Sequence, residues 1–188
     1  MPPAAEAPED AALMARVAAG DEAAFRRLAD RHVGRILRVA QSILGSRAEA
    51  DEVAQEALIR IWRHAGRWNP ARAQLGTWIH TIVARLCVDR LRLRRHAPID
   101  EAMDIADPSP DALATLETRR DTEQLRAAMA SLPRRQRAAL VLFYQEALEG
   151  SAAAGALGLS LRAFWSLLRR ARGALRQQMQ HDTGGSEP

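Results

Sequence analysis

The sequence predicts an all-α protein: two small helical domains joined by a flexible acidic linker, the second domain built on a helix-turn-helix. Three observations predict it. No stretch alternates apolar and polar residues with period two, whereas apolar residues recur three and four apart almost throughout. An acidic, proline-containing segment interrupts that pattern between residues 96 and 122. Finally, Leu132 to Arg176 reads as Leu-Pro, an apolar helix, a small-residue helix ending Leu157-Gly158-Leu159-Ser160, and an arginine-rich amphipathic helix.

Residues 1–19 are an N-terminal tail and a short helix that ends near Gly20. Asp21 can cap a long helix carrying Phe25, Leu28, Val33, Ile36, Leu37, Ala40 and Leu44, which Gly45 stops. Ser46 and Glu49 have the spacing of a capping box for the next helix, which runs to about Ala65 with Val53, Ala57, Leu58, Ile61 and Trp62 on one side. Asn69-Pro70 enforces a break. A third long helix spans about Leu75 to Arg95, apolar at Trp78, Ile79, Ile82, Val83, Leu86 and Leu91, so the first domain is residues 20–95.

The linker, residues 96–122, contains Pro98 and Asp107-Pro108-Ser109-Pro110, and fully extended would reach roughly 90 Å. Its stretch Asp111 to Arg120 is compatible with a helix. A single compact domain has no need of such a connector, which reads as joining independently placed modules, the second being residues 123–181 before a short tail, 182–188.

In the second module the spacing suits two helices crossing near a right angle. Ala154 is small where the helices must approach, Gly158 stands where the turn needs positive φ, and Phe164 plugs the seam. Ser160 is placed as the N-cap of the last helix. From there Leu161, Phe164, Leu167, Leu168, Ala171 and Leu175 recur at helical spacing, while Arg162, Arg169, Arg170, Arg172 and Arg176 add five positive charges and no acid offsets them. Such a helix suits a DNA major groove.

All 27 basic residues are arginine, and with 23 acids the net charge is +4, so placement matters more than the total. Residues 85–96 carry a net +4 and 160–176 a net +5, whereas 97–123 carry a net −6. Two basic patches flanking an acidic connector point to two contacts along one polyanion. The single cysteine, Cys87, excludes an intramolecular disulfide and reads as a small buried residue. The histidines and Cys87 have no zinc-ligand spacing, so neither metal nor cofactor is expected. The opening residues lack the character of a signal peptide, and the longest apolar run, Ala138 to Tyr144, is too short to span a bilayer. A cytoplasmic protein without membrane insertion is the expectation.

The segments Asp51-Glu52-Val53-Ala54-Gln55-Glu56-Ala57-Leu58-Ile59-Arg60-Ile61-Trp62, Thr77-Trp78-Ile79 followed by Asp89-Arg90-Leu91-Arg92, and Leu132-Pro133-Arg134-Arg135-Gln136-Arg137 leading into the helix-turn-helix occur in one order. Together they resemble the extracytoplasmic-function type of RNA polymerase sigma factor, of the sigma-70 superfamily, over about Gly20 to Arg176. The resemblance implies a factor that binds core RNA polymerase through the β′ clamp and the β flap and directs it to promoters by their minus-10 and minus-35 elements. It also brings in an anti-sigma partner.

For the first domain the resemblance implies that Asp51, Glu52, Gln55, Glu56, Leu58, Ile59 and Trp62 bind core polymerase, Trp62 fitting a core role equally well. Trp78, His80, Thr81 and Arg85 would meet the melted minus-10 strand, and Arg90, Arg92, Arg94 and Arg95 its phosphates. Trp78 also fits a core role, and Asp89 suits a pairing with Arg85 or Arg92 that orders the helix. Members commonly have asparagine where Arg85 stands, which changes what the minus-10 site can prefer.

For the second domain the resemblance implies that the last helix meets double-stranded DNA at minus-35, with Ser160, Arg162, Ala163, Trp165 and Ser166 near bases and Arg169, Arg170 and Arg172 near phosphates. Two departures stand out: Gly150-Ser151-Ala152-Ala153-Ala154-Gly155 lacks the acid and branched residue usual before the small alanine, and Trp165 replaces a small polar or charged residue. An unusual minus-35 preference or a loosely packed module would follow. An autonomous helix-turn-helix regulator is the alternative, and it leaves the basic helix of the first domain unexplained. An enzyme is disfavoured: Asp51, Glu52 and Glu56 share a helix with amide and apolar groups and lack histidine support, and no phosphate-cradling glycine loop is present.

Overall fold

The computed structural model describes residues 6–94 and 116–184, with side chains over 9–93 and 122–180. All regular structure among these residues is helical, and the chain divides into two compact units. The first holds α1 (Glu6–Ala18), α2 (Glu22–Leu44), α3 (Arg47–His64), a 3₁₀ turn (Ala65–Arg67) and α4 (Leu75–Arg94). The second holds α5 (Leu116–Ser131), α6 (Arg134–Leu140), a π turn (Val141–Gln145), α7 (Gly150–Ala156) and α8 (Leu161–Gly184).

In the first unit α2 packs against α1, α3 and α4. Its stripe of Leu28, Ile36, Val39, Ala40 and Ile43 is fully buried, against Val53, Ala57 and Ile61 of α3 and Ile79, Val83, Ala84 and Cys87 of α4. The helix ends follow local chemistry. Asp21 accepts a hydrogen bond from the Ala24 amide at 3.0 Å, and Gly45 takes the left-handed conformation at φ 75° while its N–H donates to the Gln41 carbonyl at 2.8 Å. Ser46 Oγ accepts from the Glu49 amide at 3.4 Å, starting α3. Beyond Trp68 the chain leaves the helix: Asn69 Oδ1 accepts from the Ala71 amide at 2.9 Å, and Trp68 Nε1 donates to the Ala73 carbonyl at 3.1 Å.

α1 is part of this unit's core, with Leu13, Met14 and Val17 buried, where the sequence suggested only a tail and short helix outside the domain. It is also held electrostatically. Asp10 lies 3.2 Å from His32 Nε2 and 3.4 Å from Arg31 Nε, and Glu9 lies 2.6 Å from Arg31. Burial pushes the His32 ring below its ordinary pKa, the neighbouring Asp10 carboxylate opposing that shift while Arg31 and His80 add to it.

In the second unit α8 packs on α5, α6 and α7. Phe164, Leu168 and Ala171 of α8 are buried with Leu132, Ala138, Leu142, Leu148, Ala154 and Leu157. α5 begins at Leu116, inside the stretch 96–122 assigned to the linker, so the helix expected over 111–120 appears from Leu116, while 95–115 lie outside the described residues. The apolar run after Leu132 does not stay α-helical. It widens at Val141–Gln145, where the Glu146 amide donates to the Val141 carbonyl at 3.0 Å, and the chain then turns through Ala147 at φ 49°.

Cys87 is 0 % exposed, and burial first, then the Glu49 charge, pushes its thiol up to about 12. It is therefore expected to stay unlabelled by iodoacetamide in the folded chain at neutral pH and to label fully in guanidinium; labelling of the native protein would contradict this. Because folding holds His32 below its ordinary value, the unfolded chain takes up that proton first. The stabilising effect of the neutral ring is then complete above about pH 6.5 and is lost as pH falls below it. Denaturant titrations between pH 7.5 and 5 should show the first unit weakening, with a shallower pH dependence in His32→Gln.

Candidate nucleic-acid interface

Two helix faces carry the residues singled out in the first unit. On α3, every acid of the expected docking face already has an arginine beside it: Asp51 with Arg47 at 3.9 Å, Glu56 with Arg60 at 2.9 Å, and Glu52 with Arg90 of α4. The carboxylates are still substantially exposed, and such surface pairs are worth only ~0–1 kcal/mol, so a partner can exchange into them. Gln55 and Ile59 are exposed one turn apart, Leu58 is half-buried, and Trp62 is half-buried with its ring edge-on to Phe25 at 5.1 Å. Trp62 therefore serves the core and the surface at once.

On α4, Trp78, Thr81, Arg85, Asp89 and Arg92 fall within roughly 80° of one another at about 100° per residue. Arg85 and Arg92 are exposed, Trp78 and Thr81 half-buried, and the Thr81 hydroxyl donates to the Thr77 carbonyl at 2.9 Å. Three expectations on this helix need correction. His80 is 3 % exposed, because it shares the inward stripe of Val83, Ala84 and Cys87; that three-and-four spacing was the signal for burial. Arg90 is turned to α3 and held by Glu52, so it ties two helices together where it was expected to meet phosphates. Among the described residues Asp89 forms no ion pair with Arg85 or Arg92, although it lies between them on the same stripe. The Arg94 side chain and all of Arg95 lie outside the described residues.

The second unit carries the stronger geometry. α7 and α8 meet at 93°, as a helix-turn-helix requires. Gly158 adopts φ 63°, the Leu159 amide donates to the Ala154 carbonyl at 2.9 Å, and Ser160 Oγ accepts from the Ala163 amide at 3.3 Å. Arg135 on α6 donates to the Leu157 carbonyl at 3.1 Å, pinning the turn from outside the motif. Ala154 and Phe164 are buried at the seam as expected.

Burial of Phe164, Leu168 and Ala171 turns the arginines outward. Arg162, Trp165, Arg169, Arg172 and Arg176 lie within roughly 80° on the exposed face, and Arg170 projects to one side of it. No ion pair engages any of these five arginines among the described residues, in contrast to the acids of α3. Arg169, Arg172 and Arg176 line a shallow depression floored by Gly173, two residues of which, Arg176 and Gly173, the sequence reading had not placed at the site. Ser166 and Ala163 are half-buried on the flank.

The two sequence departures in this motif are one structural feature. A Cβ on Gly150 would lie 2.5 Å from Trp165 Cζ2, so the absence of a side chain at the start of α7 makes room for the indole. Trp165 is edge-on to Phe143 at 5.3 Å and to Phe164 at 5.4 Å, and Phe143 is edge-on to Tyr144 at 5.0 Å. The indole is thus braced on one side by the module, which bears on the loose packing that was one of the two expectations, the other being an unusual minus-35 preference.

Among the described residues no three His, Cys, Asp or Glu side chains are grouped to hold a metal ion, and no single described helix is long and apolar enough to cross a membrane.

Comparison with known proteins agrees with this division. Residues 28–97 match the Sigma-70 region 2 family and residues 122–175 the Sigma-70, region 4 family. The ECF RNA polymerase sigma factor RpoE of Cereibacter sphaeroides is 30% identical, the match covering 85% of this chain and 88% of that protein. The ECF RNA polymerase sigma factor SigM of Mycobacterium tuberculosis is 32% identical over 88% of this chain and 82% of its own length. A probable RNA polymerase sigma factor, RfaY of Xanthomonas campestris, is 33% identical over 86% of this chain, which spans only 42% of that longer protein. In fold, the chain is similar to CnrH solved with the cytosolic domain of CnrY, at TM-score 0.62, 23% identity, and coverage of 93% of this chain and 99% of that one. It is also similar to RpoE of Bartonella quintana solved with the anti-sigma factor NepR, at TM-score 0.65, 20% identity, and coverage of 83% and 96%.

Proposed function

The chain belongs to the extracytoplasmic-function sigma factors of RNA polymerase, and from that premise we propose how its surfaces divide the work of promoter-directed initiation. As a member of that family it binds core polymerase and promoter DNA and directs transcription initiation. The observation that carries the finer reading is the outward side of α8, where five arginines with no ion-pair partner among the described residues ride on a helix set at 93° to its support.

α8 enters the major groove of the minus-35 element. Its N-terminal turns, with Arg162, Trp165 and Ser166, approach base edges, while Arg169, Arg172 and Arg176 follow the phosphates. On α4, the stripe of Trp78, Thr81, Arg85 and Arg92 receives the melted minus-10 strand, Arg94 and Arg95 continuing the charge. Stacking and phosphate neutralisation there offset the cost of opening the duplex. The α3 face of Asp51, Glu52, Gln55, Glu56, Leu58, Ile59 and Trp62 docks on the β′ clamp, its acids trading arginine partners within the chain for partners on the polymerase, and the second unit meets the β flap. The chain contributes no catalytic group of its own and works beside the polymerase in the cytoplasm. The Bartonella RpoE was solved with the anti-sigma factor NepR, which supports extending an anti-sigma partner to this chain.

The first test is co-elution with core RNA polymerase followed by transcription from a pool of promoter fragments. Transcripts sharing two spaced elements are expected; failure to bind core, with tight sequence-specific binding by the free protein, would point to an autonomous regulator. Within such promoters, Arg162→Ala should relax the preference at one base pair at a cost of about 1–3 kcal/mol. Arg169→Ala should weaken binding to all sequences alike and flatten the salt dependence by about one unit of slope. Both side chains are exposed, so thermal stability should be unchanged, and a lowered melting temperature with normal promoter binding would refute the assignment.

A further inference from the structure

We propose that the indole of Trp165 reads the C5-methyl group of a thymine in the minus-35 duplex, making the chain discriminate at one position by apolar contact. This rests on the placement of α8 in the major groove. Trp165 is 44% exposed, so a large part of an apolar ring stands open to whatever approaches the cationic face. It sits one turn after Arg162 and one turn before Arg169, in the middle of the cationic face, where phosphates flanking a groove would bring base edges rather than solvent against it. In the major groove the thymine methyl is the apolar group that a base edge offers.

The ring is also held still. Gly150 gives its benzo edge a seat that any Cβ would close, and Phe143 and Phe164 brace it edge-on at 5.3 Å and 5.4 Å. A braced ring pays little ordering entropy on binding, which is the property a reading group needs. Gly150 is thereby a positioning residue for DNA recognition, acting through Trp165.

The experiment is a uracil scan. Full-length chain assembled with core polymerase selects promoters from a random pool, and each minus-35 thymine on either strand is then replaced by deoxyuridine, which removes only the methyl group. The wild-type holoenzyme should lose about fourfold in affinity at one thymine, the scale of taking a methyl group out of water. Trp165→Ala should be indifferent to uracil there while retaining the guanine preference attributed to Arg162. Gly150→Ala, which adds a helix-favouring residue but displaces the indole, should reproduce that indifference with the melting temperature maintained. Uniform tolerance of uracil by the wild type, a selected element without thymine, or methyl dependence surviving in both variants would overturn the inference alone. A holoenzyme that selects no minus-35 element would overturn the groove placement, and the inference with it.

Discussion

Burial of Phe164, Leu168 and Ala171 fixes the rotation of α8 about its own axis, and the chemistry of the second unit depends on that rotation. Each large side chain removed from water contributes roughly 1.5–3 kcal/mol, more than any surface charge contact on the helix. With that stripe inward, the three-and-four spacing leaves the arginines no choice but the outside. The 93° crossing leaves the arginines of that face exposed while Trp165 keeps contact with the start of α7, and the crossing survives because Gly158 accepts a left-handed turn and Ala154 brings no bulk to the seam. Packing energy thus holds a row of like charges together that would otherwise separate. An anion bound along the row, as proposed for DNA, would offset their like charge.

The first unit handles charge in the opposite way. The three acids of the exposed α3 face, Asp51, Glu52 and Glu56, are matched one by one, two within the helix and one across to α4, so that face is close to neutral when the chain is alone. Arg90 is the instructive case. It belongs by sequence to the basic end of α4, yet Glu52 draws it toward α3, so the cationic stripe of α4 is narrower than the arginine count suggests. What is left exposed on the two helices is a mixed surface: Gln55 and Ile59 on one, Arg85 and Arg92 on the other. Pairs worth so little can be exchanged without a large penalty, which suits docking that must form and later release.

Local chemistry was legible in the sequence wherever one residue decides the outcome. Asp21, Gly45, Ser46, Gly158 and Ser160 each sit at the helix boundary their side chain or φ demands, and α2, α3, α4 and α8 follow from apolar spacing. The misreadings differ in kind: one ignored a local spacing, and the others concern partners far apart in the chain. His80 belongs to the buried stripe of α4 although its polarity suggested a surface role, and the spacing to Val83 and Cys87 outweighed that polarity. Arg90 finds Glu52 across a helix pair. Gly150 and Trp165, read separately as weaknesses, compensate each other across the right angle of the motif. A single sequence carries no register between helices, so such pairs become visible only once packing sets them side by side.

The division into two units explains why neither binding face needs to be strong. In the proposed division of work, a stripe with two exposed arginines on α4 and a row of them on α8 would each bind a polyanion mainly through counterion release, which is steep in salt and indifferent to sequence. Tethering changes the arithmetic: once one face is engaged, the other meets its site at an effective concentration set by the connector, which can multiply overall avidity by about 10²–10⁴ without a new contact. The stretch 97–115 between the units carries a net −5, so the connector itself would be repelled by the polyanion proposed for both faces. Specificity can then be divided between a duplex-reading helix and a strand-holding helix, each weak enough to leave DNA that satisfies only one of them.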